Sequence, residues 1–324
     1  MYPEPLFEIF GRGVYLYGIC IAVGIAACFA LLIFTMSKLK FNDYSSNVIV
    51  IIGVLSTGIG FLFAALFQAT YNYIANPSAG FHLGESITFL GGLIGGAATF
   101  IGLYLLFMKV IRPRNTVKFF SGEMNATLSD ALPFIPIGIV VAHAFGRLGC
   151  FFAGCCYGVE TDAWFGLPCS MVDNANRVPT QLFEMIFLFI LAAVMALLFY
   201  RNKFNYNFSV YMIAYGIWRF VLEFFRGDGD ARGKFLGDAL YPSQIWSIVL
   251  VIVGVAYIFL YRKFFAKSML HPERVTAAAT EGSSETVTEG ANAEGTAVSA
   301  DKPVSPVVPK EPAPEKQEYV DEDD

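Results

Sequence analysis

The sequence predicts an all-α, polytopic membrane protein with seven transmembrane helices, and three observations support this prediction. Hydrophobic residues make up 56% of the 324 residues and charged residues only 15%, whereas a soluble domain typically carries about 25% charged residues. The mean hydropathy is +0.55. Seven stretches are long and apolar enough to cross roughly 30 Å of hydrocarbon. This composition excludes an ordinary soluble enzyme and a chain that is disordered throughout.

The seven predicted spans differ in their ionisable residues. They cover residues 14–36, 48–70, 86–108, 127–149, 182–200, 208–225 and 243–261. The first, second, third and seventh contain no Asp, Glu, Lys or Arg, so the charged residues are concentrated in the other three. The fourth span also contains Pro133 and Pro136, which should kink the helix or delay its start.

Basic residues in the connecting segments orient the predicted bundle. Eleven Lys or Arg residues follow spans 1, 3, 5 and 7, whereas five lie on the opposite side. Because cytoplasmic loops carry the excess of basic residues, the N-terminus is predicted outside and the C-terminus in the cytoplasm. An odd number of spans satisfies both ends.

The C-terminal part of the chain has a different composition. Residues 271–324 hold 13 Asp or Glu and 4 Lys or Arg, and they are rich in Ala, Ser, Thr, Gly and Pro. Residues 1–270 are therefore predicted to form the membrane domain, and 271–324 a disordered, acidic cytoplasmic tail. A solvated extension is the simpler interpretation of the tail, and a docking peptide is the alternative.

The end of the fourth span combines ionisable residues with glycines. His143 and Arg147 are four residues apart and should share one helix face. Gly146, Gly149, Gly154 and Gly158 permit close backbone approach and a tight turn. A guanidinium group matches the geometry of a phosphodiester, so this segment predicts an anion pocket. The alternative is an arginine that reaches the lipid headgroups from a helix end.

The sixth span carries a charged stripe. Arg219, Glu223 and Arg226 fall at positions i, i+4 and i+7, so they should lie on one face. One carboxylate does not neutralise two guanidinium groups, and the surplus charge favours an anionic ligand. A purely structural Arg219–Glu223 ion pair is the alternative interpretation.

Three weaker features lie near the same predicted membrane face. Gly91, Gly92, Gly95 and Gly96 open the third span, where small residues usually indicate tight helix packing, although a helix N-terminus also binds anions. Tyr15 and Tyr17 are typical of an interfacial aromatic belt. Thr180 and Glu184 open the fifth span, where a cap and a favourable helix-dipole charge explain them.

Four cysteines, Cys150, Cys155, Cys156 and Cys169, are predicted on the outer side. A zinc site is one interpretation, but the C-x4-C-C spacing matches no standard zinc pattern. In an oxidising compartment we expect at least one structural disulfide. Because there is no C-x-x-C motif, catalytic thiol chemistry is the weaker alternative.

Several motifs in one order resemble the prolipoprotein diacylglyceryl transferase family over roughly residues 5–265. The matching segments are Tyr15 and Tyr17-Gly18, Gly91-Gly92-Leu93-Ile94-Gly95, Gly146-Arg147-Leu148-Gly149 with Phe151 and Gly154, Pro179 to Glu184, Tyr215-Gly216 to Arg226, and Ser243-Gln244. Four residues differ from the usual family pattern. Leu90 replaces a histidine, Cys150 an asparagine, and Ala153-Gly154-Cys155 replaces Asn-Gly-Glu.

The resemblance implies a bacterial cytoplasmic-membrane enzyme with an outward-facing active site. Its expected partners are phosphatidylglycerol and lipoprotein precursors, with no nucleic acid. The diacylglyceryl group would pass to the precursor's cysteine thiol, the first step of lipoprotein maturation, without a metal or other cofactor. A relative that binds or moves phospholipid without this chemistry is the alternative, and a membrane thiol–disulfide oxidoreductase is a third.

The resemblance and the residue patterns together predict the site. Arg147 and Arg219 are the expected phosphate-binding catalytic residues. His143 is the expected base for the thiol proton, because it lies one turn from Arg147, whereas His82 lies in a loop; a structural histidine is the alternative. The predicted substrate-binding residues are Tyr15, Tyr17, Gly91, Gly92, Gly149, Gly154, Glu223 and Arg226.

Overall fold

The computed structural model describes residues 4–9, 11–83, 88–112, 123–169, 171–202, 205–227 and 240–265. Within these residues, seven helices are long and apolar enough to cross a membrane, which confirms the predicted all-α polytopic fold. They are α1 (Leu16–Lys38), α2 (Asp43–Ala75), α3 (Phe89–Leu106), α5 (Ile135–Ala153), α6 (Thr180–Asn202), α7 (Asn207–Leu222) and α8 (Pro242–Phe265), and a one-turn helix, α4 (Leu128–Ala131), precedes α5.

Short irregular elements connect the helices. The antiparallel strands β1 (Phe7–Ile9) and β2 (Arg12–Val14) precede α1, and β3 (Leu167–Pro168) pairs with β4 (Asn176–Arg177) between α5 and α6. Helix α3 continues into a π-helical turn, Phe107–Ile111. A 3₁₀ turn, Pro77–Ala79, follows α2, and another, Glu223–Phe225, follows α7.

The helix ends show where hydropathy misplaces a boundary. Helix α2 has 33 residues and exceeds its predicted range at both ends. At its start, the Asn42 side chain caps the helix by accepting from the Ser45 amide at 2.9 Å. The fourth span divides into α4 and α5, and Pro136 lies in the first turn of α5. The predicted delay at the two prolines is therefore confirmed.

Glycines bring the helices together in pairs. At Gly24 and Gly138, α1 and α5 approach so closely that an added Cβ would lie 2.8 Å from Phe145 Cβ and 3.0 Å from Cys28 Sγ. Gly216 and Gly254 play the same part between α7 and α8, where Val251 and Ile213 fill the space. Without a strong hydrophobic drive between helices in lipid, such close packing stabilises the bundle.

The apolar core and the charged residues occupy opposite ends of the central helices. Met36 of α1, Phe134 and Phe199 are at most 2% exposed and belong to one cluster. Arg147 and Glu184 lie toward the other ends of α5 and α6. The core thus holds the helices at one end and leaves the other for a polar site.

Part of the sequence-based prediction lies outside the described residues. All described residues belong to the unit Met1–Glu281. The predicted tail, 271–324, and the loop residues Arg232 and Lys234 lie outside the described residues. The division into a membrane domain and a tail therefore stays a prediction.

Candidate active site

Three helices meet at a buried ion pair between Arg147 and Glu184. Arg147 Nε of α5 lies 3.0 Å from Glu184 Oε1 of α6, and the Glu184 side chain is 2% exposed. Tyr215 of α7 donates its hydroxyl to the same carboxylate oxygen at 2.8 Å, and Arg147 Nη2 donates to the Tyr215 hydroxyl at 3.4 Å. A charge this deeply buried needs such partners, so the contacts fix the direction of the guanidinium group.

The charged stripe of α7 forms a second cluster beside the first. Arg219 Nη2 lies 3.1 Å from Glu223 Oε2, and Arg226 Nε lies 4.0 Å from the same oxygen. The helix ends at Leu222 and tightens into the 3₁₀ turn, so Arg226 is positioned next to the buried Glu223 carboxylate. Both guanidinium groups therefore share one carboxylate.

The two clusters form one electrostatic unit, which we call the arginine cluster (Arg147, Glu184, Arg219, Glu223 and Arg226). Arg219 interacts electrostatically with Arg147, Glu184 and Arg226. Among the residues that the structure describes, three guanidinium groups face two carboxylates in this cluster, and the side chains of Arg147 and Arg219 are 16% and 13% exposed. The surplus donors and charge suit an anion with several oxygens, such as a phosphate group.

His143 lies beside this cluster. Its Nδ1 is 2.9 Å from the Tyr211 hydroxyl, and its ring packs edge-on against Tyr215 with the centroids 4.7 Å apart. Tyr215 in turn contacts both Arg147 and Glu184. His143 is thus linked to the phosphate-binding candidates through one shared tyrosine, and its role as a base stays a prediction.

Comparison with known proteins decides the family. Residues 4–260 match the sequence profile of the prolipoprotein diacylglyceryl transferases. The chain is 33% identical over 257 residues to a phosphatidylglycerol–prolipoprotein diacylglyceryl transferase of Clostridium tetani, covering 77% of this chain and 94% of that protein. This chain belongs to the prolipoprotein diacylglyceryl transferase family. It is therefore a transferase and a multi-pass bacterial membrane protein.

Two further relatives carry corresponding names. A phosphatidylglycerol–prolipoprotein diacylglyceryl transferase 2 of Clostridium perfringens is 33% identical over 259 residues, covering 77% of this chain and 92% of the relative. One of Dehalococcoides mccartyi is 28% identical over 272 residues, covering 79% and 92%. Each of the three matches covers more than nine tenths of the relative.

In this transferase, Tyr17 and the glycine at 149 lie beside the arginine cluster. An added Cβ on Gly149 would lie 3.0 Å from the Tyr17 ring, so the glycine permits α1 to approach α5. Tyr17 also interacts electrostatically with Arg147. The structure therefore brings Tyr17 to the cluster, and its part in lipid binding stays a prediction.

Three other predicted substrate-binding residues lie elsewhere. Tyr15 occupies the N-cap position of α1 without a capping side-chain hydrogen bond, lies next to Gly13, and is 48% exposed. Gly91 and Gly92 face α2, where an added Cβ would meet Phe67 at 2.5 Å and Ala64 at 3.2 Å. Their packing against α2 matches the first interpretation of this glycine-rich segment, and a role in substrate binding stays a prediction.

The outer cysteines are arranged differently from the disulfide that the sequence analysis expected. All six cysteines are free thiols, so the expected disulfide is wrong for this structure. The Sγ atoms of Cys150, Cys155 and Cys156 lie within 4.8 Å of one another and form a group able to hold a metal ion. Hydrogen bonds with the thiols of Cys150 and Cys155 lower the pKa of the Cys156 thiol.

The fourth outer cysteine, Cys169, is fully buried, and its Sγ lies 3.8 Å from the Gly154 carbonyl oxygen. Gly154 has a φ of 72° and ends α5 in the left-handed conformation, which favours glycine at a helix C-terminus. The turn that leads from Arg147 to the cysteines therefore accounts for a glycine at position 154, and the role of Gly154 in substrate binding stays a prediction.

Sequence reasoning assigned no site role to Glu184, which belongs to the arginine cluster, or to Tyr215, which contacts both Arg147 and Glu184. Glu184 was explained by the helix dipole, because its partner Arg147 lies on another helix. A signal was nevertheless present, since an ionisable group inside a span costs roughly 2.5–3.5 kcal/mol and needs a partner. Arg147 and Glu184 had no predicted partners and lie in neighbouring spans, so an ion pair between them could have been predicted.

Proposed function

We propose that this chain transfers the diacylglyceryl group of phosphatidylglycerol to the cysteine thiol of a lipoprotein precursor. Membership of the transferase family supports this reaction, and so do the names of relatives that match over nearly their full length. The observation that carries the proposal is the arginine cluster, where three guanidinium groups face two buried carboxylates. A phosphate group is the ligand that this surplus charge suits.

The chemistry explains why arginine serves at this position. The sulfur attacks a glycerol carbon, a carbon–sulfur bond forms, and the bond from that carbon to the phosphate oxygen breaks. The thiol proton leaves, and glycerol 1-phosphate departs with more negative charge than the diester carried. Hydrogen-bond donors that are already oriented toward these oxygens stabilise the transition state more than they stabilise the bound lipid.

The residues take distinct roles in this proposal. Arg147 and Arg219 bind the phosphate oxygens, and Arg226 adds positive charge next to them. Glu184 and Glu223 act as positioning residues, because each holds a guanidinium group in place within about 3 Å. His143 accepts the thiol proton, since the thiolate is the nucleophile and a free thiol with a pKa of about 8.5 ionises little at neutral pH.

The proposal also assigns the protein to the bacterial cytoplasmic membrane with the active site facing outward. Eleven basic residues follow the odd-numbered predicted spans and five lie on the other side, which supports an external N-terminus and a cytoplasmic C-terminus. Arg147, Glu184 and Arg219 then lie near the outer interface. Substrate precursors emerge on that face.

Turnover by the purified protein tests the function. The protein is placed in vesicles of phosphatidylglycerol with a lipobox peptide, and released glycerol phosphate and the mass of the peptide are measured. We expect equimolar glycerol phosphate and diacylglyceryl peptide, and no product when serine replaces the peptide cysteine. Phospholipid binding without release of glycerol phosphate would contradict the proposal and favour a lipid-binding relative.

A further inference from the structure

The cluster of Cys150, Cys155 and Cys156 has no part in the proposed phosphate chemistry, yet it is built next to it. Cys150 follows Arg147 by three residues on α5, and both Cys150 and Cys156 interact electrostatically with Arg147. Cys156 also interacts with Arg226. Two of the three thiols therefore interact with residues of the arginine cluster.

The sulfur positions suit a soft metal ion. In a tetrahedral zinc site, Zn–S bonds of about 2.3 Å place the sulfurs about 3.8 Å apart. The three Sγ atoms already lie within 4.8 Å of one another. Small side-chain rotations would bring them onto one ion. The fold of the chain therefore brings the three sulfurs together even though the C-x4-C-C spacing is not a standard zinc pattern.

The backbone holds this arrangement in place. Gly154 and Cys156 both have positive φ values, 72° and 62°, which turn the chain back toward Cys150. A left-handed non-glycine residue is unfavourable and persists only where its surroundings hold it. Here Thr180 Oγ1 donates to the Cys156 carbonyl at 2.7 Å, and Gln181 Nε2 donates to the Cys155 carbonyl at 2.5 Å.

Charge supports the same ligand. Three thiolates and one divalent ion carry a net charge of −1, and the guanidinium groups of Arg147 and Arg226 lie close enough to offset it. A hard cation such as Mg²⁺ prefers oxygen ligands, so a thiolate-binding transition metal fits best.

The set of three ligands leaves one coordination position for an outside group. Structural zinc sites use four protein ligands, whereas catalytic sites use three and keep one open. Within the described residues, the metal-binding group contains these three cysteines alone, and Cys169 instead points its buried thiol at the Gly154 carbonyl. Cys155 is exposed, so the group is accessible.

We propose that Cys150, Cys155 and Cys156 bind one thiolate-preferring divalent metal ion of the zinc class, and that this ion takes the precursor's cysteine sulfur as its fourth ligand. This inference rests on the proposed transferase function. The incoming thiol loses its proton to His143 on coordination, and the metal-bound sulfur attacks the glycerol carbon. The carbon–oxygen bond breaks, glycerol phosphate leaves, and the thioether product, a weaker ligand, dissociates from the ion.

Cobalt spectroscopy tests the metal site independently of turnover. The reduced, full-length protein is loaded with Co²⁺, and its thiolate charge-transfer and visible bands are recorded before and after addition of a lipobox peptide. We expect about one ion per chain in a tetrahedral sulfur site, and a change in the visible bands with the cysteine peptide but not with its serine analogue. Zinc content of the purified protein is measured in parallel.

Matched variants make the assignment specific. Cys155→Ser removes an exposed ligand and should weaken cobalt binding by at least about 10-fold, since even outer-shell partners of metal ligands contribute that much. Cys28→Ser removes a thiol of α1 that lies against Gly138, outside the group, and should leave binding unchanged. A folded Cys155→Ser protein with wild-type cobalt affinity would overturn the metal site.

The remaining outcomes separate this inference from the proposed function. Turnover without metal binding, or with a disulfide between two of these cysteines, overturns the metal site and leaves the transferase function standing. Metal binding with no spectral response to the cysteine peptide overturns substrate coordination. Metal binding with a response to the peptide, but no turnover with phosphatidylglycerol, supports the sulfur-binding site and contradicts the transferase function.

Discussion

Two glycine-rich segments of this chain look alike in sequence and differ in use. Residues 91–96 open α3, and their glycines receive Phe63, Phe67 and Ala64 of α2. Residues 146–158 surround the end of α5, and they carry Arg147 and three clustered thiols. Close backbone approach serves helix packing in the first segment, whereas in the second it positions groups that bind ligands.

The difference lies in the polar side chains that accompany the glycines. The first segment has no ionisable residue, and small residues alone are explained by close packing. The second places an arginine inside a span, where the cost of burial demands partners. A glycine-rich segment thus indicates close contact between helices, and a buried charged residue indicates which of these contacts forms a site.

Arg147→Lys is the largest expected effect and tests the second segment. Lysine keeps the charge but loses the forked donors that reach Glu184, Tyr215 and the phosphate. We expect turnover to fall by about 10²–10³-fold, equivalent to roughly 2.7–4 kcal/mol of transition-state stabilisation. Glycerol phosphate release in phosphatidylglycerol vesicles measures it.

Arg177→Lys is the matched control for that variant. The Arg177 guanidinium contacts Glu160 at 2.7 Å and Asp173 at 2.8 Å, in the segment between α5 and α6. We expect a change in turnover of less than about threefold, because lysine keeps the charge beside the exposed Glu160 and Asp173 carboxylates, and pairs with exposed partners contribute at most about 1 kcal/mol. Equal losses in both variants would indicate a general structural effect instead of phosphate binding.

His143→Gln tests the residue that lies one turn before Arg147 on α5. If His143 takes the thiol proton, its loss should lower turnover at pH 7 by about 100-fold, the lower end of general-base contributions. Raising the pH toward 8.5 should restore part of the activity, because more of the peptide thiol ionises without help. A wild-type rate and pH profile in this variant would assign His143 a structural role beside Tyr211.

Gly95→Leu tests the first segment. A Cβ at this position would overlap the Phe63 ring, so α2 and α3 would have to separate. Overpacking of this kind costs about 1–3 kcal/mol, and we expect a lower midpoint of thermal unfolding in detergent with unchanged affinity for phosphatidylglycerol. Gly102→Leu, where no atom lies within 4 Å, is the control; a loss of lipid affinity with normal stability would instead assign Gly95 to the site.

Removal of residues 275–324 is the smallest expected effect and involves neither segment. The tail has few large apolar residues with which to dock, and the proposed orientation places it across the membrane from the arginine cluster. We expect insertion and turnover to change by less than about twofold, within ordinary surface-substitution effects. A more than tenfold loss of activity in the truncated protein would contradict this prediction.

The fold was predictable from sequence because its signals are local. Seven long apolar stretches indicate seven helices, and Pro133 and Pro136 indicate the delayed start of α5. The stripe of Arg219, Glu223 and Arg226 follows from helical spacing alone. Each of these predictions depends on residues that are near one another in the chain.

Contacts between distant residues were not predictable in the same way. The Arg147–Glu184 pair joins two helices, and hydropathy says nothing about how helices rotate against each other. The thiol group depends on positive φ values at Gly154 and Cys156, and the second of these is an uncommon conformation for cysteine. The cysteine spacing therefore argued against a metal site that the folded chain permits.

A double-mutant cycle tests the central claim that the two ion-pair clusters form one phosphate site. Glycerol phosphate release is measured for Arg147→Lys, for Arg219→Lys and for the double variant. If both guanidinium groups bind the same phosphate, the combined loss should differ from the sum of the single losses by roughly 0.5–3 kcal/mol. Strictly additive losses would show that the arginines act independently and would contradict a single phosphate site.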